Sequence, residues 1–242
     1  MKYVGSKARL SKQLASIIQS YVNRCMICGG NGYWEPFVGG ANMIDKIRCF
    51  RKMGSDTHLY LIALLNHIKE TTDDLPYTIT KDEYDAVKAN PGAYPDWYVG
   101  LVGFCASYNG KWWGGYANGV KTKIGTVRNY TDEAIRNLKK QAPSLKEIAF
   151  FCGDYTRGSN AKGYAIYCDP PYRDTTKYAT GDFDYDKFYS WCKEMTKTNT
   201  VLISEYWMPD DGFECIWQGN LKCTLDKASR SDKVERLYLC KG

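Results

Sequence analysis

Histidine is scarce in this chain of 242 residues, with only His58 and His67. Cysteine is not scarce, but only one of its pairs, Cys25 and Cys28, has metal-ligand spacing. A structural zinc site needs four ligands, usually drawn from two such pairs, and no second pair is present. The expectation is therefore no metal. The remaining cysteines are scattered, and several (Cys152, Cys168, Cys240) lie in apolar stretches. A chain of this length needs no covalent staples, so reduced thiols in a cytoplasm are expected. No apolar run approaches the ~18 residues of a membrane span. The opening residues Met1 to Lys7 lack the apolar core of a secretion signal. Both absences predict a soluble, cytoplasmic protein with no membrane partner. The dinucleotide fingerprint GxGxxG is missing too, which leaves a nicotinamide cofactor without support. There is no internal repeat and no low-complexity segment.

What is present is a real core and an uneven charge. Hydrophobic residues make up 44% of the chain and the net charge is +6. Residues 1–24 carry Lys2, Lys7, Arg9, Lys12 and Arg24 with no acid. Residues 111–140 carry Lys111, Lys121, Lys123, Arg128, Arg136, Lys139 and Lys140 against Asp132 and Glu133. Each segment is +5, so the rest of the chain is mildly acidic. Two basic segments on an acidic body suggest a polyanionic partner. Solvated helix faces would give the same pattern.

The order of elements reads as α/β. Leu10, Leu14, Ile17, Ile18 and Val22 recur at helical spacing over residues 10–23. Gly5 and Ser6 precede that helix, a turn whose free N–H groups would suit an anion or would simply cap the helix. Tyr33 to Glu35 ends a first strand. The loop Pro36-Phe37-Val38-Gly39-Gly40 follows, and Ala41 to Phe50 reads as a helix. Strand, glycine loop, helix is a common cradle for a nucleotide-like ligand. Lys52 to Asp56 reads as a second short strand, and Leu59, Ile62, Leu65 and Ile68 mark the helix after it. An acid about 20 residues after a glycine loop commonly bonds ribose hydroxyls, and Asp56 has that spacing, although it would equally cap the helix.

Residues 71–147 break this rhythm and read as a mainly helical insertion. Helices are expected over Lys81 to Asn90 and Tyr130 to Gln141, with a turn at Pro91 to Pro95. Between them, residues 103–116 mix aromatics, glycines and lysine. Asn109, Lys111, Trp112 and Tyr116 there, with Lys121, Lys123 and Arg128 downstream and Arg9 near the start, are the candidate nucleic-acid contacts. Aromatic faces stack on bases and cations neutralise phosphates. A structural aromatic cluster is the plain alternative. The sheet resumes with strands at Ile148 to Cys152, Tyr164 to Cys168 and Thr200 to Glu205, and a helix at Asp184 to Lys197. Phe213 to Leu225 and Val234 to Cys240 read as a closing hairpin around the charged loop Asp226 to Lys233.

One tetrapeptide organises the rest. Asp169-Pro170-Pro171-Tyr172 follows the buried-strand pattern of Tyr164 to Cys168. The prolines stiffen the turn and cannot donate, so a carboxylate, spare carbonyls and a flat ring share a small space. An exocyclic amine on a flat ring suits that space, though an ordinary strand-ending turn has the same composition. Glu35, Asp56, Asp154 and Asp169 all fall at expected strand ends. With the loop at Gly39 and Gly40 they describe a pocket for a ribonucleoside bearing a cationic centre, such as S-adenosylmethionine.

In the order Lys2 to Lys7, Glu35 to Gly40, Ser55-Asp56 and Asp169 to Tyr172, the sequence resembles the Dam-like (D12 class) adenine-N6 DNA methyltransferases. The resemblance implies a Rossmann-like S-adenosylmethionine-dependent methyltransferase sheet with an inserted target-recognition region. Residues 1–70 and 148–242 would form the catalytic domain and 71–147 the insertion. It implies cofactor contacts from Tyr3, Lys7, Glu35, Pro36, Phe37, Gly39, Asp56, Asp154, Tyr155 and Asp169. Tyr3 and Lys7 would meet the methionine part, Asp56 the ribose, and Asp154 with Tyr155 the adenine. Asp169, Pro170, Pro171 and Tyr172 would be catalytic, with Tyr172 stacked on a flipped target base. The implied partner is double-stranded DNA, with a cognate restriction enzyme as a further candidate, in a bacterial or phage-infected cell. Monomer and weak dimer both stay open. Cytosine-N4 methylation, methylation of a protein or RNA group, and a non-catalytic DNA-binding module with a decayed pocket are the alternatives. The related cytosine enzymes usually carry serine in place of the first acid.

Overall fold

Tyr164–Cys168 and Thr200–Glu205 are apolar runs buried along nearly their whole length. Such runs suit central parallel strands covered on both faces. The computed structural model describes all residues except Ser6, Ala8, Arg9, 122–124, 174–182, 222–232 and Gly242. Its strands are β1 (Gly32–Glu35), β2 (Lys52–Asp56), β3 (Val120–Lys121), β4 (Val127–Arg128), β5 (Ile148–Cys152), β6 (Tyr164–Cys168), β7 (Thr200–Glu205), β8 (Phe213–Leu221) and β9 (Lys233–Cys240). Its α-helices are α1 (Ser11–Ile27), α2 (Leu59–Glu70), α3 (Lys81–Ala89), α4 (Asp96–Gly100), α5 (Tyr130–Gln141) and α6 (Tyr185–Thr196).

Seven strands form one mixed sheet in the order β5-β2-β1-β6-β7-β9-β8. β6 pairs parallel with β1 and with β7, while β9 runs antiparallel to both β7 and β8. The chain order reverses between β1 and β6. In open α/β sheets, ligands bind outside the carboxyl ends of strands at such a reversal. β3 and β4 form a separate two-stranded ladder. Among the described residues no helix is long and apolar enough to cross a membrane.

The chain divides into two compact units. The first comprises Met1–Lys12, Val38–Ile47 and Gly54–Gly153. Leu61, Leu64 and Leu65 of α2 are buried there, with Val99 of α4. The two helices meet closely at Gly100, where a Cβ would lie 2.1 Å from the Tyr60 carbonyl oxygen. A buried π-helical turn, Leu101–Cys105, continues directly from α4. The side chain of Asn129 caps α5 by accepting from the Thr131 and Asp132 N–H groups.

The second unit comprises Gln13–Phe37, Arg48–Met53 and Asp154–Gly242. α1 buries Leu14, Ile18 and Val22, the stripe its spacing predicts. α6 is capped by Asp184 and buries Phe188, Trp191, Cys192 and Met195. Trp191 meets Trp34 of β1 edge-on at 6.0 Å.

Most expected elements form, and three differ. The expected helix from Ala41 to Phe50 is only a 3-10 turn, Ile44–Lys46. Ala41 sits at φ +54°, outside right-handed helical space. The Gln141 amide takes the carbonyls of Gly40 and Ala41, at 3.1 and 3.0 Å, which a helix would need. Gly5 does not open α1, which begins at Ser11 and runs on to Ile27. No element was expected over α4 and its π-helical extension, which hold Gly100 and Gly103. β8 is described as far as Leu221, and the rest of the expected strand to Leu225 lies outside the described residues. Most of the charged loop from Asp226 lies outside the described residues.

Candidate functional site

In the second unit, paired parallel strands β1 and β6 end at Glu35 and Cys168. Asp169 follows directly. Glu35 is buried and accepts the Tyr33 hydroxyl at 2.6 Å. Burial, and then the nearby Glu35, push the Tyr33 phenol well above its usual range. Pro36 is buried, and the Phe37 ring packs 5.5 Å from Tyr155, 5.9 Å from Phe183 and 5.6 Å from Phe188. Asp154 caps the short turn Tyr155–Gly158, accepting the Thr156 N–H at 3.0 Å and its hydroxyl at 2.6 Å. Burial, and then Asp154, push the Tyr155 hydroxyl up to about 12.

Asp169 is half-buried, and its charge is felt by two tyrosines. Burial first and Asp169 second raise both Tyr167 and Tyr172 well above the ordinary phenol range. The Tyr167 hydroxyl bonds Ser204 at 2.8 Å. Pro170 is buried, and the Pro171 carbonyl accepts the Tyr185 hydroxyl at 2.9 Å, so this acceptor of the turn is in use. Tyr172 is largely buried, with 7% of the residue exposed. Its hydroxyl donates to Glu235 on β9, and Tyr206 meets it edge-on at 4.5 Å. Glu205, Tyr206 and Glu235 were not candidates from the sequence. Glu205 closes the buried run of β7 and Glu235 lies on β9, far from the tetrapeptide in sequence, so only the tertiary pairing reveals them.

In the first unit, Gly39 sits at φ +48° and a Cβ there would lie 3.0 Å from the Tyr3 ring. Only glycine combines that conformation with that approach. Tyr3 also packs 5.5 Å from Phe104. Asp56 accepts the Gly39 N–H at 3.2 Å and the His58 N–H at 3.0 Å. Burial raises the Asp56 carboxyl, and those backbone donors pull the other way. Asp56 therefore ties the glycine loop to the end of β2. The cap of α2 is instead His58, whose Nδ1 accepts the Leu61 N–H at 3.3 Å. Lys7 is half-buried, and its carbonyl accepts the Leu10 N–H at 2.9 Å.

The residues expected to touch DNA are dispersed within this unit. Asn109, at φ +59°, and Arg128 line a cleft of about 210 Å³ with Lys2, Tyr108, Ala117 and Tyr130. Arg128 forks onto Glu133 at 2.6 and 2.7 Å. Lys111 and Lys121 are exposed. Trp112 is half-buried: it stacks on Tyr60 at 5.5 Å and meets His58 at 4.3 Å. A Cβ on Gly103 would lie 2.2 Å from its ring. The Tyr116 hydroxyl donates to the Ile79 carbonyl at 2.7 Å. Arg9 and Lys123 lie outside the described residues. Cys25, of the spaced cysteine pair, donates to the Gly163 carbonyl at 3.3 Å, and Cys28 is exposed.

No curated protein matches the sequence. A family model does match, over a segment that holds Tyr3, Lys7, Glu35 to Gly39 and Asp56 and stops short of Asp169. Over residues 3–96 the chain matches the family of D12 class N6 adenine-specific DNA methyltransferase.

Proposed function

We propose that this protein transfers a methyl group from S-adenosylmethionine to the N6 amino group of adenine within a specific double-stranded DNA sequence. The observation that carries the reading lies outside the family match. Asp169-Pro170-Pro171-Tyr172 follows β6, at the carboxyl end of a strand beside the chain reversal. A family match in the first part of the chain and this tetrapeptide in the later part point to one chemistry. Residues 71–147 would be the target-recognition insertion and the remainder the catalytic domain.

Residues within each unit, taken by itself, suit parts of the cofactor. Buried Glu35 and the Phe37–Tyr155 aromatic pair suit a cationic centre and a flat base in one unit. In the other, Asp56 is held on the glycine loop, where a carboxylate suits ribose hydroxyls. Tyr3 and Lys7 would meet the methionine part. When bound, the cofactor supplies an electrophilic methyl group on a sulfonium.

The chain's own work is on the amine. A base inside a duplex is out of reach, so the adenine would be flipped out. Its N6 lone pair is delocalised into the ring, which makes it a poor nucleophile. The Asp169 carboxylate and the Pro170 carbonyl would accept the two N6 hydrogens and stabilise the positive charge that develops on nitrogen. Stabilisation aimed at transition-state charge contributes about 10²–10³ in rate per contact. Asn109, Lys111, Lys121 and Arg128, with Arg9 and Lys123, would hold the DNA backbone, and Trp112 and Tyr116 would support that surface.

The test is to offer labelled S-adenosylmethionine with duplex DNA, RNA and protein and to ask which polymer takes the label. Label in duplex DNA alone is expected. Label only in RNA or protein, or DNA binding with no transfer, would replace this reading with one of its alternatives.

A further inference from the structure

The tyrosine of the tetrapeptide is anchored through its hydroxyl. Tyr172 donates to Glu235, 63 positions later in the chain. Glu235 is completely buried on β9, opposite Gly219 of β8. A carboxyl group inside a sheet is costly unless a hydrogen-bond partner offsets its lost hydration. The next residue on β9, Arg236, donates to the carbonyl of Tyr206. The N–H of Tyr206 in turn donates to Glu205 at 2.7 Å. Tyr206 is therefore fixed on both sides of its backbone, and its ring stands at 87° to that of Tyr172. Consecutive residues of β9 thus hold an aromatic ring beyond β6 and the aromatic residue packed against it beyond β7.

A ring that offered only a flat face would need no hydroxyl. A tethered ring has one plane and one distance from Asp169, whereas a free ring can slide and tilt. We propose that Glu235 is a positioning residue for methyl transfer, holding the Tyr172 ring at its hydroxyl so that the target base meets a fixed plane beside Asp169. This rests on the functional reading above. Glu235 touches neither base nor cofactor in this role. Its effect travels through Tyr172.

Three variants test it, each checked for folding by thermal melting and for cofactor binding by calorimetry. Glu235→Leu should lower kcat by about 10–100-fold, as expected for a misplaced reacting group, and leave cofactor affinity within about twofold. Glu235→Gln keeps an acceptor oxygen and should recover most of that loss. Tyr172→Phe removes the same hydrogen bond from the other side. Combined with Glu235→Leu it should cost little more than either alone, because the two act as one unit. If Glu235→Leu does not fold, Tyr172→Phe decides, and an unchanged kcat there overturns the proposal. A folded Glu235→Leu with wild-type kcat, or losses that simply multiply in the double variant, also overturns it. Absence of methylation by the unaltered protein would instead defeat the functional reading on which it rests.

Discussion

Replacing Asp169 by alanine removes one of the two acceptors assigned to the reacting amine and leaves Pro170 in place. Turnover should fall by at least about 10²-fold, while calorimetry should still detect cofactor binding. Near-normal methylation by Asp169→Ala would remove Asp169 from the chemistry. The place of Asp169 at a strand end was legible because it follows the apolar run Tyr164 to Cys168. Glu35 and Asp56 were legible because each ends a short strand, one before a glycine loop and one after it. Glu235 was not legible. In Val234-Glu235-Arg236 the acid alternates with other residue types as on any half-exposed strand, and its partner is remote in sequence. Trp112 was singled out because its flat face suits base stacking, and that half-buried ring also packs on Tyr60 and against Gly103.

α5, α6 and β2 were read with their bounds nearly right, because their local patterns are strong. The segment after Gly40 failed because its carbonyls are claimed by Gln141, about a hundred positions away. α4 and the turn Leu101–Cys105 failed because their glycines serve close packing, which propensity counts against a helix. α2 carries a pH dependence of its own. Its cap is the neutral Nδ1 of His58, and burial beside Phe104 and Trp112 lowers His58 from its usual 6.5. A histidine lowered in the folded state stabilises fully above about pH 6.5 and loses that contribution as pH falls through the lowered value. Stability measured by denaturant should therefore decline below pH 6.5. His58→Asn, which keeps a capping oxygen, should flatten that part of the curve. The same decline in His58→Asn would assign it to another group.

For the whole molecule, the fold class was readable from alternating strands and helices, and the order β5-β2-β1-β6-β7-β9-β8 gives it a chain reversal beside the tetrapeptide. The placing of β9 between β7 and β8 was not readable, since a late hairpin can join a sheet by either strand. The net charge of +6, concentrated in two segments, predicts DNA binding that weakens steeply with salt. Exposed Lys121 is the cleanest probe, because its removal disturbs no packing. Lys121→Ala should weaken binding alike on all sequences and reduce the slope of log K against log salt by about one unit. An unchanged slope would take Lys121 off the DNA surface.

The account stands or falls on which atom receives the methyl group. Duplex DNA treated with the protein and S-adenosylmethionine, digested to nucleosides and separated by mass spectrometry, answers that directly. N6-methyladenine as the sole new nucleoside, absent with Asp169→Ala, is the predicted result. N4-methylcytosine, or DNA without any methylated base, would contradict it.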